Sequence, residues 1–350
     1  MEYDYLHWVI WHITNKCNLE CTYCYPSSGP RAEEQLSESD LFKIVEEINK
    51  TRSRLVTIIG GEPFTVDCLP EIIEALLTVP GREVNIDTNA TYLQTRWNDV
   101  YYRVNRINLS IDSLDSQVHN EQRGAYKGVL DAIEFLSQKR VPFGGNITVT
   151  SSNFATIKQT AEFLLQKGAS VVGFGKVKPI GRGLELFPKV RLTPVQLKEA
   201  TRQIIEFYLE HHEEAKILAS GFYDPELFEQ GPVNKLPSCL CGDAKVTINF
   251  DGMVYPCEAM PYLLIEDAIK AYGEPMNILE YPLDAIMDSP LMRAWREIVY
   301  TKPSDCTSCR YQLYCSGGCR AFNLFSHGNP LRKDPNCKIG TQVEPLVQMF

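Results

Sequence analysis

The sequence lacks several features that define large functional classes of protein. Its 350 residues include 35 basic and 44 acidic side chains, a net charge of -9, so the basic excess with which proteins displace the counterions of nucleic acids is missing. No apolar run reaches transmembrane length, and the first residues, Met-Glu-Tyr-Asp-Tyr, do not resemble a signal peptide. We therefore predict a cytoplasmic protein with no membrane-spanning segment and no nucleic-acid partner.

Cysteine, by contrast, is abundant. The chain has 12 cysteines, and because disulfides are rare in the reducing cytoplasm, metal or redox chemistry is the better explanation for them. Three lie between residues 17 and 24, Cys68 is isolated, and the other eight lie between Cys239 and Cys337. We interpret Cys68 as an ordinary core residue. The remaining cysteines form two groups, one at each end of the chain.

Between these groups, strand-like and helix-like segments alternate. The first strand is predicted at residues 7–14 and the sixth at 171–177, with a helical pattern between successive strands. This alternation predicts a parallel sheet with right-handed crossovers, either closed into a barrel or open. Functional groups are then expected at the carboxyl ends of the strands.

The alternation ends near Gly181, where we predict a linker followed by one long helix over residues 194–219. A domain boundary is expected within residues 220–237. Beyond it, Asp251-Gly252 separates two β-rich runs and predicts a hairpin, and a helix is predicted over residues 283–298.

The first cysteine group has the spacing C-x3-C-x2-C, formed by Cys17, Cys21 and Cys24. Thiolates are the ligands of iron-sulfur clusters, and three of them would hold three irons and leave a fourth iron open to an external molecule with an amine and a carboxylate. The alternative is a zinc site, for which His12 is a candidate fourth ligand.

This loop, placed directly after the first strand of a β/α series, resembles the signature of the radical S-adenosylmethionine (SAM) superfamily. The resemblance implies a 4Fe-4S cluster on the three cysteines and bound SAM, with Tyr23 helping to seat the adenine. Gly60-Gly61-Glu62-Pro63 follows the second strand and matches the superfamily's GGEP element, which meets the amino group of SAM. Glycines allow close backbone approach, and Glu62 offers an anionic acceptor.

Further positions match the superfamily's SAM-binding elements at the ends of later strands. By resemblance, Ser110 contacts the ribose or carboxylate of SAM and Arg123 contacts the carboxylate, for which a guanidinium is well shaped. The alternative for each is a helix cap or a surface ion pair. The full set of these positions is Thr88, Asn89, Ser110, Asp112 and Arg123.

The second cysteine group resembles the SPASM domain, a C-terminal extension of radical SAM enzymes that mature peptides and proteins. The resemblance implies two auxiliary iron-sulfur clusters. The inner one would use Cys257, Cys319 and Cys241. Either Cys239 is its fourth ligand, or one iron is left without a protein ligand and open to substrate. Zinc sites remain the alternative for the same thiolates. The outer 4Fe-4S cluster would use Cys306, Cys309, Cys315 and Cys337.

Taken together, the resemblance implies an α/β fold: a partial (β/α)6 barrel over residues 1–220 and a SPASM domain over residues 221–350. The implied activity is reductive cleavage of SAM to a 5′-deoxyadenosyl radical, hydrogen abstraction, and oxidative modification of a peptide or protein side chain. A thioether or carbon-carbon crosslink in a ribosomally made peptide is the leading product. The alternatives are formylglycine formation in a sulfatase, tetrapyrrole side-chain processing, and a non-catalytic zinc or iron-sulfur protein.

Glu258 directly follows Cys257, where sulfatase-maturing relatives carry an acidic residue that accepts a substrate proton. We therefore consider it as a general base, against the alternative of a solvated or helix-capping glutamate. The expected partners are the peptide or protein substrate and a reductant such as flavodoxin or ferredoxin. Because the first strand begins almost at the start of the sequence, any peptide-recognition module is expected to be a separate protein or to be absent.

Overall fold

The computed structural model of the protein describes residues 6–32, 35–222, 239–263, 266–311 and 315–337. Within them, ten strands form one sheet in the order β10-β9-β8-β1-β2-β3-β4-β5-β6-β7. In this order, each pair of neighbouring strands from β8 through β1 to β7 is parallel. Strand β9 is antiparallel to both of its neighbours, β8 and β10. The strands are β1 Trp8–His12, β2 Leu55–Ile59, β3 Glu83–Thr88, β4 Arg106–Ser110, β5 Phe143–Val149, β6 Ala169–Lys176, β7 Lys216–Ser220, β8 Lys245–Ile248, β9 Met253–Tyr255 and β10 Met276–Asn277.

Helices connect the parallel strands and cover one face of the sheet. Strand residues alternate between the two faces, so Val84 and Ile86 are fully buried under helices, whereas Asn85 and Asp87 lie on the opposite, polar face. The helices are α1 Glu38–Asn49, α2 Leu69–Leu76, α3 Trp97–Val100, α4 Ser116–Gln122, α5 Tyr126–Lys139, α6 Ile157–Gln166, α7 Arg182–Val190, α8 Pro194–His211, α9 Glu266–Tyr272, α10 Leu283–Met287, α11 Pro290–Tyr300 and α12 Arg320–His327.

Local sequence explains the best-defined helix starts. Ser37 caps α1 by accepting a hydrogen bond from the backbone N–H of Asp40. Thr193 and Gln196 form a reciprocal capping box at the start of α8, where Pro194 occupies the first turn without losing a helical hydrogen bond. None of the described helices combines the length and the apolarity that crossing a bilayer requires.

The predicted α/β class with six parallel strands joined by helices is confirmed. Three local predictions were wrong. The segment after Gly181 is not a linker but helix α7. The long helix ends at His211 and is followed by an additional strand, β7. The helix expected over residues 283–298 is two helices, with Pro290 in the first turn of the second. Most of the predicted domain boundary lies outside the described residues.

The second half of the chain joins the same sheet as the first. Strand β8 pairs in parallel with β1, so Trp8 lies beside Lys245 and Trp11 lies beside Ile248. The predicted hairpin is present as β8 and β9, with Asp251-Gly252 in its turn. This pairing brings the second cysteine group alongside the strand that leads into the first.

Candidate functional site

The first cysteine loop follows β1 and contains three free thiols. Cys17 is buried, and its sulfur accepts hydrogen bonds from the backbone N–H of Leu19 at 3.4 Å and from the Asn89 side chain at 3.6 Å. Burial raises the pKa of Cys17 to about 12, and the nearby Cys21 and Cys24 add to the shift. A metal must therefore replace the proton before this sulfur can act as a thiolate.

The spacing of these donors separates a cluster from a zinc ion. In a tetrahedral zinc site with Zn–S bonds of about 2.3 Å, the sulfurs would lie about 3.8 Å apart. Among the described residues, no three side chains drawn from Cys17, Cys21, Cys24 and His12 bring their ligand atoms within 4.8 Å of one another. His12 instead has its Nε2 at 3.1 Å from the Tyr25 hydroxyl. The loop fits a larger, polynuclear group better than a single zinc ion.

The Gly60-Gly61-Glu62-Pro63 turn is held against this loop by its backbone. Gly61 N–H donates to the carbonyl of Thr14 at 2.7 Å, and Glu62 N–H donates to the carbonyl of Lys16 at 2.9 Å. A Cβ atom on Gly61 would lie 2.2 Å from the Lys16 carbonyl oxygen. Glycine is therefore required at residue 61 for the turn and the cysteine loop to pack together.

The carboxylate of Glu62 is fully buried and is shared among backbone and side-chain donors. It accepts hydrogen bonds from the Thr88 hydroxyl at 2.7 Å and from the backbone N–H groups of Asn89 and Phe64 at 2.8 and 3.2 Å. Burial raises the pKa of Glu62 to about 7, against the lowering effect of these three hydrogen bonds. Glu62 thus ties the ends of β2 and β3 together beneath the cysteine loop.

Asn89 extends this network to the cysteines. Besides contacting the Cys17 sulfur, its Nδ2 donates to Asn18 Oδ1 at 2.9 Å, and its Oδ1 accepts from the hydroxyl of Thr91 at 2.6 Å. Thr88 and Asn89 were both predicted to contact SAM, and the structure brings both to the loop that the cysteines occupy. Pro63 is buried at the start of a short 3-10 helix, Pro63–Thr65.

Tyr23, Asp112 and Arg123 form a second buried group beside the loop. Asp112 is fully buried and accepts hydrogen bonds from Arg123 Nε at 2.8 Å, from Thr148 N–H at 2.8 Å and from the Tyr23 hydroxyl. The guanidinium of Arg123 also lies over the Tyr23 ring at 5.3 Å. Asp112 and Arg123 therefore neutralise each other at the predicted SAM site, while Ser110 ends β4 half-buried.

The inner cysteines of the second group come together in one apolar cluster. Cys241 and Cys257 are buried there, and Cys239 and Cys319 pack against it together with Tyr25. The sulfur of Cys241 interacts with those of Cys239 and Cys257; the contact with Cys239, together with burial, raises the pKa of Cys241 well above its usual value, while Cys257 opposes the shift. The structure thus groups Cys239 with the other three, although its role as a ligand stays a prediction.

The four cysteines predicted to hold the outer cluster also lie near one another. Burial raises the pKa of Cys306, and electrostatic interactions with Cys337 and Cys309 raise it further. Burial likewise raises the pKa of Cys315 to about 12, and Cys337 and Cys306 contribute again. The set Cys306, Cys309, Cys315 and Cys337 is therefore a single group of thiols in the structure.

Glu258 lies between two lysines that the sequence analysis missed. Its carboxylate is 3.0 Å from Lys178 Nζ and 3.2 Å from Lys245 Nζ. Although burial favours the protonated form, the two ammonium groups hold the pKa of Glu258 well below its usual range. To act as a general base it would have to accept a proton while paired with two cations, and that role stays a prediction.

Arg182, also missed, contacts the first cysteine loop. Its Nε donates to the carbonyl of Cys21 at 2.9 Å, and its N–H donates to the carbonyl of Cys24 at 3.1 Å. Lys178 and Arg182 both come just after β6. The general rule that sites lie at the carboxyl ends of parallel strands could have drawn attention to this segment.

Comparisons with known proteins agree with this arrangement. The family model of the radical SAM superfamily matches residues 11–164, and that of the iron-sulfur cluster-binding SPASM domain matches residues 239–310. An AdoMet-dependent heme synthase of Methanosarcina barkeri is 27% identical, with 94% of this chain and 95% of the relative covered. The mycofactocin maturase MftC of Mycolicibacterium smegmatis is 26% identical, with 94% and 82% covered.

Among solved structures, SuiB of Streptococcus suis bound to the precursor peptide SuiA has the same fold, with a TM-score of 0.74 over 96% of this chain and 76% of that one, at 18% identity. The radical SAM model covers Cys17, Cys21 and Cys24, and the SPASM model covers the second cysteine group as far as Cys309. The chain is therefore a radical SAM enzyme with a C-terminal SPASM domain that binds iron-sulfur clusters.

Proposed function

We propose that this enzyme oxidatively modifies a side chain of a peptide or protein, forming a thioether or carbon-carbon link in a ribosomally made precursor. When bound, the first iron-sulfur cluster would supply the electron that cleaves SAM to a 5′-deoxyadenosyl radical, and the auxiliary clusters would accept the electron that the substrate loses. The protein's own residues must hold these groups, place the substrate hydrogen near the radical carbon and exclude water.

The observation that carries the proposal is the contact between the two cysteine groups through Tyr25. This residue directly follows Cys24, packs against the apolar cluster that contains Cys241 and Cys257, and lies edge-on to the Tyr262 ring at 6.3 Å. The first cysteine loop and the inner auxiliary cysteines therefore lie next to each other at Tyr25. A substrate held there would meet both the radical source and an electron acceptor.

Each part of the site has residues suited to its task. Cys17, Cys21 and Cys24 would hold the first cluster, and the backbone of the Gly60–Pro63 turn lies against the same loop, where the amino group of SAM is expected. The second group offers eight thiols, enough for two auxiliary clusters. Reductants of the flavodoxin or ferredoxin type, and a separate peptide-recognition protein, complete the proposed system.

Tetrapyrrole side-chain processing is the second candidate function. It is favoured by one observation, the similarity to the heme synthase of Methanosarcina barkeri across nearly the whole length of both chains. The mycofactocin maturase MftC is almost as similar over the same share of this chain. Substrate identity must therefore be tested directly.

The first experiment measures SAM cleavage by the anaerobically reconstituted, dithionite-reduced protein. We expect 5′-deoxyadenosine and methionine from the wild type and none from a variant with Cys17, Cys21 and Cys24 replaced by Ala. Cys68→Ala is the matched control because Cys68 lies at the start of α2, apart from both cysteine groups, and it should cleave SAM at the wild-type rate. Cleavage by the triple variant would place the site elsewhere.

The second experiment offers substrates to the active enzyme. Precursor peptides encoded beside the gene, and separately a propionate-bearing porphyrin, are incubated with SAM and reductant and examined by mass spectrometry. Loss of two hydrogens from a peptide supports the peptide proposal. Loss of carbon dioxide and hydrogen from the porphyrin, with unchanged peptides, supports the tetrapyrrole alternative and contradicts the main one.

A further inference from the structure

Two lysines flank the inner auxiliary cysteines with one carboxylate between them. Lys178 follows β6 and Lys245 begins β8, and their Nζ atoms lie 3.0 and 3.2 Å from the two oxygens of Glu258. The side chain of Lys245 is 13% exposed and that of Glu258 is 22% exposed. Lys178 is more open to solvent, with 39% of its side chain exposed. Two ammonium groups and one carboxylate leave a net positive charge on this group of three.

This positive charge lies beside the inner cysteines, because Glu258 directly follows Cys257. Burial alone would lower the pKa of Lys245, yet Cys241, Glu258 and Cys257 raise it well above its usual value. Burial also opposes the charge of Lys178, and Glu258, Cys257 and Cys319 raise its pKa. Both side chains therefore stay protonated, and each lies within electrostatic reach of two or more of the inner thiols.

Lys178 also reaches toward the first cysteine loop. Its ammonium lies 5.2 Å from the centre of the Tyr25 ring, the aromatic residue that follows Cys24. Lys245 lies 5.2 Å from the centre of the Trp8 ring on β1. These cation-π contacts, together with the ion pairs to Glu258, favour positions of both ammonium groups beside the inner cysteines.

A cluster held by four thiolates carries net negative charge, and gaining an electron makes it more negative. Net charge around a cluster is one of the factors that set its reduction potential, and the effect is strong where the surroundings exclude water. We propose that Lys178 and Lys245 raise the reduction potential of the cluster held by the inner cysteines, and that Glu258 opposes them. The inference rests on the proposed function, which assigns an iron-sulfur cluster to these cysteines.

The consequence is a division of labour between the cysteine groups. The first group must hold a cluster of low potential that can reduce SAM, while an acceptor of substrate electrons benefits from a higher potential. The lysine pair lies beside the inner cysteines and so stabilises the reduced state of the cluster that receives the electron from the substrate. A purely structural role, joining β6 to the segment after β9, would make no such distinction.

The test is a redox titration of the anaerobically reconstituted full-length protein, followed by electron paramagnetic resonance. The inner-cluster signal is identified by its loss in Cys257→Ser. We expect Lys178→Met and Lys245→Met each to move its midpoint to a more negative potential, and Glu258→Gln to move it to a more positive one. Lys178→Arg and Lys245→Arg should keep the wild-type midpoint. Lys270→Met is the control, because Lys270 is paired with Glu266 on the exposed side of α9.

Iron and sulfide contents are measured on every variant, so that only loaded protein is compared. Unchanged midpoints in both loaded Met variants would overturn the inference, as would a shift of Glu258→Gln in the same direction as the Met variants. If a Met variant fails to load, a loaded Arg variant with a displaced midpoint would contradict it equally. Zinc without labile sulfide at these cysteines in the wild type would instead overturn the cluster assignment in the proposed function.

Discussion

Replacing Asp112 by Asn should strongly destabilise the enzyme, because it removes the carboxylate partner of a buried guanidinium. Asp112 is fully buried, and the Arg123 side chain is only 14% exposed. Asp112 now accepts hydrogen bonds from three groups, through two carboxylate oxygens. An Asn side chain has one acceptor oxygen, which could still bind Thr148 N–H, but its amide N–H₂ group cannot accept a hydrogen bond from the other two donors. Arg123 would remain as a buried charge without its counter-ion.

The size of the effect follows from the burial. Removing one partner of a buried ion pair costs about 3–5 kcal/mol. With an unfolding entropy of about 2.1 cal/mol/K per residue over 350 residues, this loss lowers the melting temperature by about 4–7 °C. The measurement is thermal unfolding of the anaerobically reconstituted protein, followed by circular dichroism.

The matched control is Glu121→Gln, which changes an exposed carboxylate on α4, two residues before Arg123. It should move the melting temperature by no more than about 1 °C, as surface substitutions do. Adding Arg123→Met to Asp112→Asn should recover part of the loss, because it removes the stranded charge. A single Asp112→Asn variant that melts with the wild type would refute the assignment of a buried, mutually neutralising pair.

Two further predictions concern the turn that follows β2. Gly61→Ala should lower iron loading of the first cysteine loop and reduce SAM cleavage by about 100-fold, since displacing a site by about 1 Å can lower its rate by that factor. Gly128→Ala in α5 is the control: its added Cβ meets no atom closer than 3.7 Å, so iron loading and SAM cleavage should stay unchanged. Glu62→Gln should remove a pH dependence of stability. The raised pKa of Glu62 means that the folded protein keeps a proton that the unfolded chain loses, so this contribution to stability declines as pH rises from 4.5 to about 7. Wild-type stability relative to the variant should fall by about 2 kcal/mol between pH 5.5 and pH 8, and a constant difference between the two melting temperatures would contradict the shift.

Sequence alone was sufficient for the parts of the fold that local patterns encode. The second strand was predicted to end before Gly60-Gly61, and it occupies Leu55–Ile59, because its apolar run ends at these two glycines. The helix over residues 194–219 was predicted too long. Its last residues form β7, which pairs with β6 from Val171 beside Lys216 onward, and this tertiary pairing leaves no periodic signal in a five-residue segment.

The first cysteine group was predictable from its C-x3-C-x2-C spacing, whereas the grouping of Cys241, Cys257 and Cys319 was expected only from the resemblance to the SPASM domain. The partners of the charged residues were not predictable, since they come from distant segments. Asp112 pairs with Arg123 and Thr148, and Glu258 pairs with Lys178, 80 residues earlier in the chain. Sequence reasoning assigned Glu62, Asp112 and Arg123 to the ligand, whereas the structure shows that much of their hydrogen-bonding capacity is used within the protein.

These internal pairings give the two cysteine groups different responses to acid. Around Cys17, the buried carboxylate of Glu62 has neutral donors only, so burial raises its pKa into the physiological range and its charge changes near pH 7. Beside Cys257, Glu258 faces two ammonium groups, which hold its pKa well below the usual range despite burial, and its contribution to stability is lost only in stronger acid. The charge around the inner auxiliary cysteines therefore stays constant over the pH range in which the network beneath the first cysteine loop takes up a proton. Such constancy suits a site whose electron affinity depends on fixed charges.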